Sequence, residues 1–191
     1  MDSKIEEALK LQTAAGLEKC LRKLTLVSPG DWRLTGVRVF SGQVREAVRR
    51  KDRKTPPGAV IRVKIKGEPP FITALLFDPA DTGHISGCFA EGAFYGPLSK
   101  DQPEVTIIEI GNIVLNAMAN SLLKALRKTA IPSVPAYFKG DPGAMEAWLG
   151  AGPDVFTTIS VAFTVGREGR SADIELLAFL PPSLAAQALP G

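Results

Sequence analysis

One histidine, His84, and two cysteines, Cys20 and Cys88, make up the whole supply of those two residue types in 191 residues. A Ser-His-Asp or Cys-His arrangement would have to use His84, yet its neighbours Gly83 and Ile85 belong to no nucleophile motif. It reads as a surface or structural histidine. The cysteines show no metal-ligand spacing, which argues against a protein-bound zinc site. Beside Leu21 and Phe89 they read as buried free thiols, with a disulfide left open. There is no glycine-rich phosphate loop of the Walker or dinucleotide type. No window approaches 18 consecutive apolar residues, so no membrane insertion is expected. The segment Met1–Glu7 lacks the apolar run of a secretory signal, and the expected compartment is the cytoplasm. Charge is nearly balanced, with 23 Lys and Arg against 20 Asp and Glu, a net of +3. That is too little to argue for nucleic acid. The one basic run, Arg45 to Lys54, carries no aromatic residue for base stacking. It is expected to be a solvated loop before Pro56, or else a contact for an acidic protein partner.

What is present is an ordinary globular composition, 45% hydrophobic and 23% charged. It suits a single domain over residues 1–191 that buries a core without disulfides or metals. Ile5, Leu9, Leu17, Leu21 and Leu24 recur at helical spacing and predict an amphipathic helix over 4–25, stopped by Pro29-Gly30. A strand is expected at 34–43. A hairpin of strands 59–65 and 71–77 is expected around Lys66–Pro70. A short helix is expected over 81–94, despite its glycines. The strongest helix is expected over 102–129, with Asp101 as N-cap, Pro103 in the first turn and Glu104 completing a capping box. Pro132 and Pro135 would stop it. A helix over 142–149, strands over 155–165 and 172–179 about the turn Gly166–Gly169, and a final short helix near Pro182 complete the pattern.

Lys19–Lys23 echoes Lys124–Lys128, 105 residues later, and each segment ends a long helix followed by strands. The order implies two helix–strand–strand–strand halves, about 4–79 and 80–181. The expected fold is α/β of the α+β type: one mixed or antiparallel sheet of about six strands with two long helices on one face.

The helix at 102–129 carries an unusual polar stripe. Asn112, Asn116 and Asn120 lie at i, i+4 and i+8, with Glu109 three residues before the first. Asparagine is a poor helix former, and Lys or Glu would solvate a helix face at less cost. Asn116 and Asn120 taken singly read as packing and polar contacts.

Glu109-Ile110-Gly111-Asn112 resembles the E-x-x-N element of the CheC, CheX and FliY phosphatases, whose pattern continues with a Pro after 22 residues. Residues 113–134 fill that gap and Pro135 follows. The family has Asp or Ser four residues before the Glu, whereas here Val105 stands there, with Thr106 beside it. The resemblance implies dephosphorylation of the phospho-aspartate of a CheY-like response regulator. Glu109 and Asn112 would be the catalytic pair, and Thr106, Asn116 and Pro135 partner-binding residues. The receiver would supply the Mg²⁺, so no cofactor of the chain's own is expected. A second motif on the first helix is absent, because the echo aligns Lys4 and Glu7 with Glu109 and Asn112. A non-catalytic CheC-like adaptor or flagellar-switch protein, with CheD or switch proteins as partners, is the alternative, and a chance motif in an unrelated ligand-binding domain is a third. A homodimer is left open.

Overall fold

In the computed structural model, residues 3–50, 57–90, 102–150, 152 and 154–188 are described. Three layers form: helices, a sheet, and a second layer of helices. The elements in chain order are α1 (Ser3–Val27), β1 (Asp31–Gly42), α2 (Val44–Val48), β2 (Ala59–Lys66), β3 (Phe71–Phe77), α3 (Thr82–Ala90), α4 (Pro103–Ala125), β4 (Ile131–Pro132), β5 (Ala136–Lys139), α5 (Pro142–Leu149), β6 (Phe156–Arg167), β7 (Arg170–Leu180) and α6 (Pro182–Ala185). A 3₁₀ turn, Pro79–Asp81, precedes α3.

The sheet has seven strands in the order β1-β6-β7-β3-β2-β4, with β5 also on β2, and every pair is antiparallel. β6 and β7 are joined by a two-residue turn in which Glu168 and Gly169 both have positive φ, 54° and 80°. That backbone matches strand twist, and it keeps the hairpin tighter than the four-residue turn expected from sequence. β2, β3 and β7 are covered on both faces. Ile61, Leu75 and Leu176 point to one core cluster, with α1, α3 and α4, while Val60, Leu76 and Leu177 point to the other, with α2 and α5.

The helices on the second face differ from expectation. Val44, Ala47 and Val48, at the start of the basic run, are buried against the sheet beside Met145 and Leu149 of α5. Arg49 pairs with Glu146 of α5 at 2.5 Å, and Arg50 pairs with Glu175 at 3.1 Å. The beginning of the run is therefore structural rather than a solvated loop; residues 51–56 lie outside those described. So does Asp101, the expected cap of α4. The N-cap is Gln102, which makes no side-chain capping bond.

β4 and β5 are one edge strand interrupted by a bulge. Pro132 lies opposite Ile65 and Ala136 opposite Arg62, so Ser133, Val134 and Pro135 face only Val63 and Lys64. β1, on the other edge, shows the same irregularity between Leu34 and Gly36. Bulges and proline are common on edge strands, where they interrupt pairing with further chains.

The two edges repeat each other. Asp31 pairs with Gly166 and Ile131 with Lys66; Gly36 pairs with Ala162 and Ala136 with Arg62. Each pair is the other with its two members moved 100 positions in opposite directions. The halves are thus related by a pseudo-twofold axis between β3 and β7. The helices follow within one residue, since buried Leu9, Thr13, Leu17, Leu21 and Leu24 answer Ile110, Val114, Met118, Leu122 and Ala125. The 105-residue echo of basic residues is not the structural repeat. The true register places Ala8 and Leu11, not Lys4 and Glu7, where α4 has Glu109 and Asn112.

Candidate functional site

Among the described residues α4 is the more apolar of the two long helices, and by length and composition it could cross a membrane. Here it is a core helix. Ile107, Ile110, Val114, Leu115, Met118 and Leu122 are all fully buried. One side meets α1, where a Cβ on Gly16 would fall 1.7 Å from Ser121 Oγ. Another meets the sheet, where a Cβ on Gly111 would fall 2.7 Å from Ile61 Cδ1. Glycine costs helix stability, and one held mid-helix usually marks a close approach. Gly111 therefore brings α4 down onto β2 within the turn that separates Glu109 from Asn112.

The polar stripe rises from this seated segment. Glu109 is exposed and makes no hydrogen bond or ion pair among the described residues. Asn112, one turn on, is half-buried, and Asn120 is exposed. Asn116 is half-buried and its Nδ2 donates to Asn112 Oδ1 at 2.8 Å. Asn116 Oδ1 is buried without a partner among the described residues. Thr106 is buried, 6% exposed, while Val105 is 53% exposed on the first turns of the same helix. Thr106, expected to touch a partner, thus offers it almost no surface in this conformation.

The edge strand β5 pairs with β2, the strand on which Gly111 rests. Tyr137 lies opposite Ile61, the residue beneath Gly111. Its phenol is pushed up from its ordinary value by burial, with the charge of Glu104 adding to the effect, and its hydroxyl has no partner among the described residues. Pro135 is half-buried within the bulge two residues earlier, next to Val134, which is 83% exposed. Gly111 thus seats the segment of Glu109 and Asn112 on Ile61, and the strand paired with Ile61 carries Tyr137 and, two residues earlier, Pro135. Sequence reasoning did not single out Gly111 or Tyr137 as site residues. The signal for Gly111 was a glycine in the middle of a long apolar helix; the tyrosine gave none.

The remaining candidates lie elsewhere. His84 is half-buried with Nε2 3.7 Å from Cys88 Sγ. Both cysteines are free; Cys88 is buried, but Cys20 is only half-buried. A groove of about 510 Å³ with a mixed lining lies on the sheet face away from α1 and α4, bordered by Arg38, Ser160, Thr164 and Asp173 together with Leu76 and Ala162. Among the described residues no three His, Cys, Asp or Glu side chains are grouped to hold a metal.

Comparison with known proteins separates sequence from architecture. No known family profile matches the chain, and no curated protein matches it in sequence. Solved structures do match. FliY of Thermotoga maritima is 14% identical with a TM-score of 0.65, over 98% of this chain and 94% of that one. The middle domain of FliM from H. pylori is 10% identical with a TM-score of 0.62, over 98% and 99%. CheX of Borrelia burgdorferi, in complex with CheY, BeF₃ and Mg²⁺, is 12% identical with a TM-score of 0.50, over 90% and 96%. The likeness extends along nearly the whole length of each partner, and the chain has the fold shared by FliY, the FliM middle domain and CheX.

Proposed function

We propose that the chain is a cytoplasmic phosphatase acting on the phospho-aspartate of a CheY-like receiver. The observation that carries this reading is the placement of Glu109 and Asn112, one exposed and one half-exposed, a turn apart on a helix that Gly111 seats against the sheet. The chemistry asks little of the phosphatase. A water attacks the phosphorus in line, the bond to the aspartyl oxygen breaks, and inorganic phosphate and a free carboxylate result with release of a proton. Orientation of that water is a real source of rate. The amide of Asn112 can donate and accept at once, which suits it to hold the water. Glu109 pairs with a lysine of the receiver and sets the docking register. The receiver supplies Mg²⁺. Pro135 and the bulge border the docking surface, and Asn116 supports it from the same helix face. The complex of CheX with CheY among the similar structures supports this choice of partner.

A second reading has its own support. The TM-score to the FliM middle domain, 0.62, exceeds that to the CheX complex, 0.50. Val105 also replaces the Asp or Ser of the resembled pattern. On this reading the chain binds a receiver or a switch protein without chemistry. Phosphate release and receiver binding, measured side by side on phosphorylated CheY, separate the two: faster release supports the phosphatase, and binding without it supports the switch component.

A further inference from the structure

We propose that Asn116 is a positioning residue that fixes the side-chain amide of Asn112. The two lie at i and i+4 on one face of α4, where side chains meet, and Asn116 Nδ2 donates to Asn112 Oδ1 at 2.8 Å. An asparagine side chain has two rotatable torsions, and without a partner the amide of a half-exposed residue samples several orientations. The bond from Asn116 selects one. It occupies a lone pair of Oδ1 and leaves the amino group of Asn112 and the second lone pair of its oxygen for an external molecule.

Two further observations point the same way. Asn116 Oδ1 is buried and unpartnered among the described residues. A buried polar atom without a partner is rare and calls for an explanation. An apolar residue would pack there without that cost, so an amide at 116 makes sense if its NH₂ group has a task. The pseudo-twofold copy supplies the comparison: in the register of the buried positions, α1 carries Leu11 and Ala15 where α4 carries Asn112 and Asn116. The helix without the first amide is also without the second. The pair behaves as a unit, and the role of Asn116 extends beyond packing.

The consequence for turnover rests on the phosphatase reading, whereas the coupling between the two amides does not. The test therefore has two arms, on the full chain with ¹⁵N-labelled side-chain amides. In the first, the order parameter of the Asn112 NH₂ group is measured in the wild type and in Asn116→Ala, Asn116→Ser and Asn116→Gln. A rigid amide is expected in the wild type, a fall below about 0.6 in the two shortened variants, and recovery in Gln, which can still donate. The backbone amide spectrum shows which variants fold, and Ala and Ser substitute for each other if one does not. An equally rigid Asn112 amide in the folded shortened variants overturns the proposal. In the second arm, phosphate release from phosphorylated CheY, compared at saturating receiver, is expected to fall about tenfold in Ala and Ser, the scale of one hydrogen bond, and to recover in Gln. Unchanged release beside a mobilised amide also overturns a positioning role. If the wild type itself does not accelerate release, the phosphatase reading falls, and the order parameter still decides whether Asn116 holds Asn112.

Discussion

Gly111 lies so close to Ile61 that a Cβ at position 111 would stand 2.7 Å from Ile61 Cδ1, 3.0 Å from Cγ2 and 3.3 Å from Cβ. The last two atoms belong to the rigid branched root of a fully buried side chain. In an exposed helix interior, Gly→Ala stabilises by about 0.5–1 kcal/mol. Here the sign reverses. Gly111→Ala is expected to destabilise by roughly 1–3 kcal/mol, the range of overpacking, and to lift the segment that carries Glu109 and Asn112. Ile61→Val removes only Cδ1 and so restores part of the loss. Urea unfolding of both variants and their double mutant measures this; a stabilised Gly111→Ala would show that the helix has room at that point.

Glu109 is exposed and unpaired among the described residues, so its loss touches little of the fold. Glu109→Ala is expected to change stability by no more than about 0.5 kcal/mol. If Glu109 meets a receiver lysine, the same change weakens binding to phosphorylated CheY by about tenfold or more. Calorimetric titration beside thermal unfolding tests both halves of the expectation.

Arg127 ends α4 in the left-handed region, φ 52°. Lys128 N–H donates to Leu123 O at 2.9 Å and Arg127 N–H to Lys124 O at 3.1 Å, the Schellman pattern in which glycine is the usual occupant. Arg127→Gly is expected to stabilise the protein by about 1 kcal/mol, because the side chain is strained there. A higher urea midpoint with an unchanged slope is the readout.

Asp141 caps α5, and its carboxyl is held below the ordinary carboxylate range, first by the N–H of Ala144 and further by that of Gly143 and the charge of Arg49. A lowered native pKa contributes stability in full above the unfolded value, about 3.9. That contribution is lost as pH falls through the native value. Wild type is therefore expected to lose stability more steeply than Asp141→Asn between about pH 5 and about pH 2. Equal slopes would show that the carboxyl titrates alike in both states.

The long elements were legible because their apolar periods are long. Leu9 to Leu24 and Ile107 to Leu122 mark α1 and α4, and Asp141-Pro142 marks the start of α5 with an N-cap and a proline. The stripe of Glu109 and Asn112 was legible as polar residues on an otherwise apolar helix. The second helical layer was not. α2 has only five residues, too few for a period, and its buried Val44, Ala47 and Val48 are interleaved with charge. Its start depends on Glu46 accepting from the N–H of Gln43 at 2.8 Å, a contact that composition hides. The end of α4 was placed too late, because Arg127 gives no sign of a left-handed residue. The repeat was sensed by the order of elements but misaligned by basic residues, which follow solvent rather than register; the edge-strand pairings carry the true spacing.

The central claim is that the Asn112 amide orients the water that attacks a receiver's acyl phosphate. Its most direct test is the rate of phosphate release from phosphorylated CheY with wild type and with Asn112→Ala, compared at equal receiver occupancy. The account predicts acceleration by the wild type and its loss by roughly a hundredfold in a variant that still folds and binds. Release by Asn112→Ala as fast as by an accelerating wild type, or a wild type that leaves the receiver's own decay unchanged, would contradict it.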